Sequence, residues 1–125
     1  MHVATVIDIQ EKLLPQIDQF IDTLKAKEEE FKNIIKIGRT HLMDATPLSL
    51  AQEISGFRAQ FEFVKKTIVE CNKHLYELAI GATAVGTGLN SHPKFSSLVT
   101  SHISKLTKVP FIPAKNKFSA LTSHE

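Results

Sequence analysis

The sequence predicts an all-α chain built from long helices, and three observations carry that prediction. Apolar residues recur at alternating spacings of four and three over two long stretches. Proline and small polar residues fall where helices should begin and end. No alternation of the two-residue period that marks a half-buried strand persists anywhere.

The first stretch runs Val3, Ile7, Gln10, Leu14, Ile17, Ile21, Leu24, Glu28, Phe31, Ile35, a heptad seam with Gln10 and Glu28 as polar interruptions. Pro15 lies inside it and removes the bond that would run back to the carbonyl of Glu11, so one long helix with a kink or local break is expected there. In the second stretch Leu50, Ile54, Phe57, Phe61, Val64, Ile68, Cys71, Leu75 and Leu78 keep the seam without a break. Thr46 and Pro47 supply an N-cap and a first-turn proline that start this helix near residue 47, and Ser49 with Gln52 offers an alternative capping box. About 30 helical residues would span roughly 45 Å, and a seam of that length needs partner helices along its whole extent. Cys71 falls on the seam and is expected to be a small buried thiol.

Gly81 to Phe95, GATAVGTGLNSHPKF, is rich in glycine and small residues. It lacks the preceding strand of a dinucleotide fingerprint and the GKS or GKT of a phosphate-binding loop, so it reads as a helix end and a close-packed turn. Ser91 and Pro93 can start a third, shorter helix carrying Phe95, Leu98, Val99, Ile103 and Leu106. Pro110 and Pro113 break it, and the last residues read as an irregular segment entering a further helix.

Composition excludes several classes of function. Of 125 residues 42% are apolar and 22% charged, with a net charge of +2, an ordinary globular mix without a basic stripe for nucleic acid. Lys25, Lys27 and Lys32 alternate with Glu28, Glu29 and Glu30, so their charge is neutralised locally. One cysteine allows no internal disulfide, and no apolar run approaches the roughly 20 residues needed to span a bilayer. A soluble, cytoplasmic protein is expected, mitochondrial if eukaryotic. The six histidines show no helical pairing and no HExxH, which argues against a metal site. What stands out is Thr40-His41, in the joint between the two long helices. Histidine suits general acid or base work near neutral pH. Thr40 can donate to a substrate oxygen, Arg39 can pair with a carboxylate, and Asp44 can cap a helix or hold the loop.

These residues lie in GRTHLMDATPLSLAQE, which resembles the central segment of the class II fumarase, aspartase and argininosuccinase superfamily, GRTHLQDATPLTLGQE in the fumarase version. ELAIGATAVGTGLNSHPKF resembles the fumarase run ELAxGGTAVGTGLNTHPxF, and FIPAKNKFSAL resembles FVTAPNKFEAL. The three matches keep their order and cover nearly the whole chain. His41, together with Asn116, Lys117 and Phe118, favours the fumarase branch over the aspartases. Met43, Ala51, Ala82 and Lys115 depart from its pattern, and none of these departures falls at the Thr-His pair itself.

The resemblance implies part of the central helical bundle domain over residues 1–125, truncated relative to the family. It implies reversible hydration of fumarate to (S)-malate, a dicarboxylate substrate, no metal or organic cofactor, no nucleic-acid or membrane partner, and a homotetramer whose sites gather residues from three subunits. By the same resemblance Thr40 contacts a substrate carboxylate and His41 belongs to the acid/base machinery, with Arg39 and Asp44 in support. The family's Ser-Ser-Asn run and its GSSxMPxKxNP loop have no counterpart in this sequence, and Met1 to Ala4 resembles an interior family stretch, TAMHIA. A chain inactive by itself is therefore expected. The competing expectations are another lyase of the superfamily, aspartase first, and a non-catalytic helical scaffold.

Overall fold

The structure, a computed structural model, describes residues 1–122; His124 lies outside them. Its helices and short strands follow in the order α1 (His2–Asp8), a π-helical turn (Ile9–Leu13), α2 (Leu14–Glu30), β1 (Ile35–Thr40), β2 (Met43–Ser49), α3 (Leu50–His74), β3 (Glu77–Leu78), α4 (Phe95–Thr107), β4 (Ile112–Pro113) and α5 (Lys117–Thr122). The class is the helical one predicted. The chain forms two compact units, Gln10–Val69 and the remainder, Met1–Ile9 with the residues from Glu70 onward.

Pro15 acts where expected. The helix widens to a π turn over Ile9–Leu13 and resumes α geometry at Leu14, so the missing N–H of Pro15 and the bulk of its ring fall just after a loosened turn. The helix ends earlier than the seam suggested. Phe31 closes α2 by donating its N–H to the carbonyl of Lys27, and Ile35 already belongs to a strand.

In the unit Gln10–Val69, α2 and α3 run antiparallel. Asp18 meets Lys65, Phe20 meets Phe61 and Glu28 meets Arg58, so numbers rise along one helix as they fall along the other. Ile17 and Ile21 are the buried residues of α2. The rings of Phe20 and Phe61 pack edge to face with centroids 4.7 Å apart, a geometry worth about 0.5–1.5 kcal/mol beyond the area it buries. Arg58 donates to Glu28 at 2.5 Å and to Glu62 at 2.8 Å. Those hydrogen bonds, Glu28 first, hold its pKa above even the usual arginine value, so the cation persists across the neutral range. Much of the apolar surface of α3 stays open: Phe57 and Val64 of the seam and Phe63 beside it are exposed.

The start of α3 corrects one expectation. Thr46 and Pro47 lie in β2, and the helix begins at Leu50 through the alternative capping box. The Ser49 N–H donates to Oε1 of Gln52 at 2.8 Å, and the Gln52 N–H donates to Oγ of Ser49 at 3.1 Å. At the far end the helix stops at His74, and Leu75 and Tyr76 tighten the chain into a turn through bonds to the carbonyls of Asn72 and Lys73. Cys71 is exposed, against expectation, and its neighbour Asn72 takes the buried position at 3% exposure. The last two residues of the predicted seam, Leu75 and Leu78, lie beyond the helix end and reach the core from there.

In the other unit Val6, Leu78, Val109 and Phe111 form the buried apolar cluster, with Val3, Leu75, Tyr76, Ile80 and Ile103 packed around it. Strands β3 and β4 pair in parallel, Glu77 with Ile112 and Leu78 with Pro113, and deliver Leu78 and Phe111 to that cluster. The helix α4 turns an unexpected face inward. Leu98 and Leu106 are exposed, whereas Ser96 and Thr100 are buried, Thr100 to 2% exposure. The hydroxyl of Thr100 donates to the carbonyl of Ser96 at 2.8 Å, and that of Ser104 to Thr100 and Phe111. Small hydroxyl residues that satisfy themselves on the preceding turn can be buried without an orphaned donor. Lys108, left-handed at φ 58°, ends the helix two residues before Pro110.

Candidate active site

The joint between α2 and α3, expected as a turn, is a two-stranded antiparallel hairpin. Its register pairs Ile35 with Ser49, Lys36 with Leu48 and Ile37 with Pro47, then slips by one residue before Arg39 pairs with Asp44 and Thr40 with Met43. In the slip Ala45 and Thr46 of β2 stand opposite Gly38 alone, which is a β-bulge in β2. The close approach there requires glycine, since a Cβ on Gly38 would lie 2.6 Å from the Thr46 carbonyl oxygen and 3.3 Å from Cδ2 of Leu48. Pro47 is tolerated because both strands of a two-stranded sheet are edges.

The base of the hairpin is tied to the helices. The N–H of Leu50 donates to the carbonyl of Ile34 at 2.8 Å, and the ammonium of Lys36 binds Glu53 in the first turn of α3 at 2.6 Å. A cleft of about 560 Å³ opens along one face of the sheet, lined among others by Lys36, Gly38, Arg39, Thr40, Thr46 and Glu53. Its lining mixes these polar and charged groups with apolar Ile37, Ala45 and Leu48.

The tip holds the predicted residues. Thr40 closes β1, and His41 and Leu42 form the two-residue loop, both with left-handed backbone at φ 47° and 62°. Two positive φ angles in a two-residue loop define a type I′ turn, whose twist matches the strands it joins. Histidine is among the residues more often found there, whereas a bulky leucine is a strained choice. Leu42 is 92% exposed, so it gains no packing in return. Replacing it with glycine should stabilise the hairpin by about 0.5–1 kcal/mol net, the relief of left-handed strain less the extra freedom of the unfolded chain. Slower amide exchange over residues 35–49 would register it, and unchanged or faster exchange would show that the turn is unstrained.

Arg39 and Asp44, directly opposite each other, form an ion pair at 3.0 Å, Nη2 to Oδ1. Both are exposed, so the pair contributes little to stability, but it engages the guanidinium within the hairpin. The charged side chains of the tip thus serve each other, and the Thr40 hydroxyl and the His41 imidazole are presented at its exposed end. All four predicted residues come together within one turn of hairpin. Sequence reasoning missed Gly38 and Leu42, the residues that shape the tip. Among the described residues no three His, Cys, Asp or Glu side chains converge as a metal-binding group, and no helix is long and apolar enough to cross a membrane.

The chain is 54% identical to the class II fumarate hydratase of Helicobacter pylori over all of its 125 residues, and equally so to that of Oceanobacillus iheyensis. It spans 27% of the length of either relative. Among solved structures it superposes on a class II fumarase from Schistosoma mansoni with a TM-score of 0.91 at 36% identity, covering 98% of this chain and 29% of that one. A fumarate lyase:delta crystallin from Brucella melitensis matches with a TM-score of 0.81 at 27% identity, over 94% of this chain and 25% of that one. The model of the family described as Lyase matches residues 1–125, and the chain belongs to that family.

Proposed function

We propose that residues 1–125 form part of the central helical bundle domain of a class II fumarate hydratase, a cytoplasmic enzyme or a mitochondrial one in a eukaryote. The observation that carries this reading is the similarity to class II fumarate hydratases along the whole chain; the hairpin supplies the place where the chemistry resides. Removal of water from (S)-malate begins with loss of a proton from the carbon beside a carboxylate and passes through a carbanion-like species, and hydration of fumarate runs the same path in reverse. Such a path needs a group that moves a proton and fixed donors around the developing charge. The imidazole of His41 takes the first role, moving the proton itself or orienting the group that does. The hydroxyl of Thr40, next to it, donates to a substrate carboxylate oxygen. Arg39 is already held by Asp44, so this pair supports the tip instead of binding the substrate. Neither a metal nor an organic cofactor enters these steps.

A homotetramer in which other subunits complete the site accords with the exposed seam of α3, whose Phe57 and Val64 are about half exposed. The same exposed seam favours a second reading, a helical scaffold that assembles without catalysing.

Complementation separates the two. The 125-residue chain alone should show no loss of fumarate absorbance, and mixing it with polypeptides that carry the remaining regions of a class II fumarate hydratase should restore hydration. Association without activity would favour the scaffold, and turnover by the chain alone would refute the need for the other regions.

A further inference from the structure

The glycine-rich segment and the Asn116-Lys117-Phe118 motif, read separately in the sequence, meet in the structure. Gly81 and Gly86 have left-handed backbone, at φ 75° and 102°. Neither has room for a side chain: a Cβ on Gly81 would lie 2.3 Å from the hydroxyl of Ser96, and one on Gly86 would lie 2.7 Å from the ring of Phe118. The Ser96 hydroxyl is the hub. It donates to the carbonyl of Ile80 at 2.8 Å and accepts from the Lys117 ammonium at 2.8 Å, and the same ammonium reaches the carbonyl of Gly81 at 3.5 Å. Ser96 is buried on α4. Lys117 and Phe118 open α5, whose start is shaped by Asn116 accepting the N–H of Ser119.

We propose that Lys117 and Phe118 act as a clasp that fastens the segment Gly81–Asn90 to α4. The ammonium grips the entrance of the segment through Ser96 and Gly81, and the phenyl ring lies against the backbone of its middle at Gly86. The segment's own hydrogen bonds are local. The N–H groups of Gly86 and Gly88 both donate to the carbonyl of Ala82, and that of Ser91 donates to Gly88. Small turns with permissive glycines hold such bonds weakly when nothing covers them. A charge-assisted bond to a buried hydroxyl is the stronger element, so the segment's order depends on α5, and releasing Lys117 frees it while α4 stays folded.

Hydrogen exchange on the 125-residue chain tests the clasp. In Lys117→Met the amides of residues 82–91 should exchange about tenfold faster or more, as expected for loss of a charge-assisted hydrogen bond, while the hairpin at residues 35–49 and the middle of α4 keep their rates. Lys115→Met, which removes a nearby charge without touching Ser96, should leave residues 82–91 unchanged. If Lys117→Met loosens everything from Glu70 onward, Ser96→Ala decides. Faster exchange confined to residues 79–91 supports the clasp, and unchanged exchange there overturns it, as does unchanged exchange in Lys117→Met itself.

Discussion

In a complete enzyme carrying this segment, His41→Asn should lower kcat by about 10²–10⁴-fold, the contribution usual for a positioned acid or base, and leave folding intact. The choice of asparagine matters. His41 sits at φ 47°, and asparagine is one of the few side chains that tolerate a left-handed backbone, so the type I′ turn and the Arg39–Asp44 pair should survive. A β-branched replacement would disturb the turn and confound lost chemistry with lost geometry. His41 is exposed, so the stability of the 125-residue chain should stay within about 0.5 kcal/mol, as for surface substitutions generally. Steady-state kinetics on the full-length variant, beside thermal unfolding, provides the check. A rate near that of the parent would remove His41 from the acid/base role. A collapse of both rate and stability would make it a structural residue of the turn.

Much of the helical framework was legible because helices obey local rules. The seam from Leu50 through Ile68 marks α3, Pro15 marks the change from π to α geometry, and Ser49 with Gln52 marks a cap. Gly81 and Gly86 read as a close-packed turn, and both have left-handed backbone with no space for a Cβ. The hairpin was not legible. Only Ile35, Lys36 and Ile37 alternate before Gly38 interrupts, and Pro47 stands in a strand where proline ordinarily argues against one. Its tip, His41-Leu42, lacks the Asn-Gly or Asp-Gly that announces a type I′ turn. Partners distant in sequence were invisible for the same reason. Nothing local links Phe118 to Gly86, and nothing in the α3 seam shows that Asn72 is buried and Cys71 exposed. Thr40 and His41 stand out in the sequence as candidates; their place at the tip of a bulged hairpin comes only with the fold.

The bulge yields a pair of substitutions with opposite expected signs in the unit Gln10–Val69. Propensity alone ranks alanine above glycine in a strand as in a helix, so Gly38→Ala and Gly56→Ala should both stabilise if local preference ruled. The structure separates them. A Cβ on Gly56, in the middle of α3, meets nothing within 4 Å, and the substitution should stabilise by about 0.5–1 kcal/mol through the lower entropy of the unfolded chain. A Cβ on Gly38 meets the Thr46 carbonyl oxygen at 2.6 Å. That oxygen belongs to backbone and cannot swing aside, so β2 must shift or the bulge must open, at about 1–3 kcal/mol as for other overpacked sites. Gly38→Val, which propensity favours still more strongly in a strand, should be worse than alanine because its methyls add to the same collision. Amide exchange within residues 10–69 under increasing urea gives the readout: higher midpoints for Gly56→Ala, lower for Gly38→Ala, lowest for Gly38→Val. A midpoint for Gly38→Ala at or above that of the parent would mean that the bulge at Ala45 and Thr46 is absent. Thr40 and His41 would then sit in a register one residue away from the one that pairs Arg39 with Asp44.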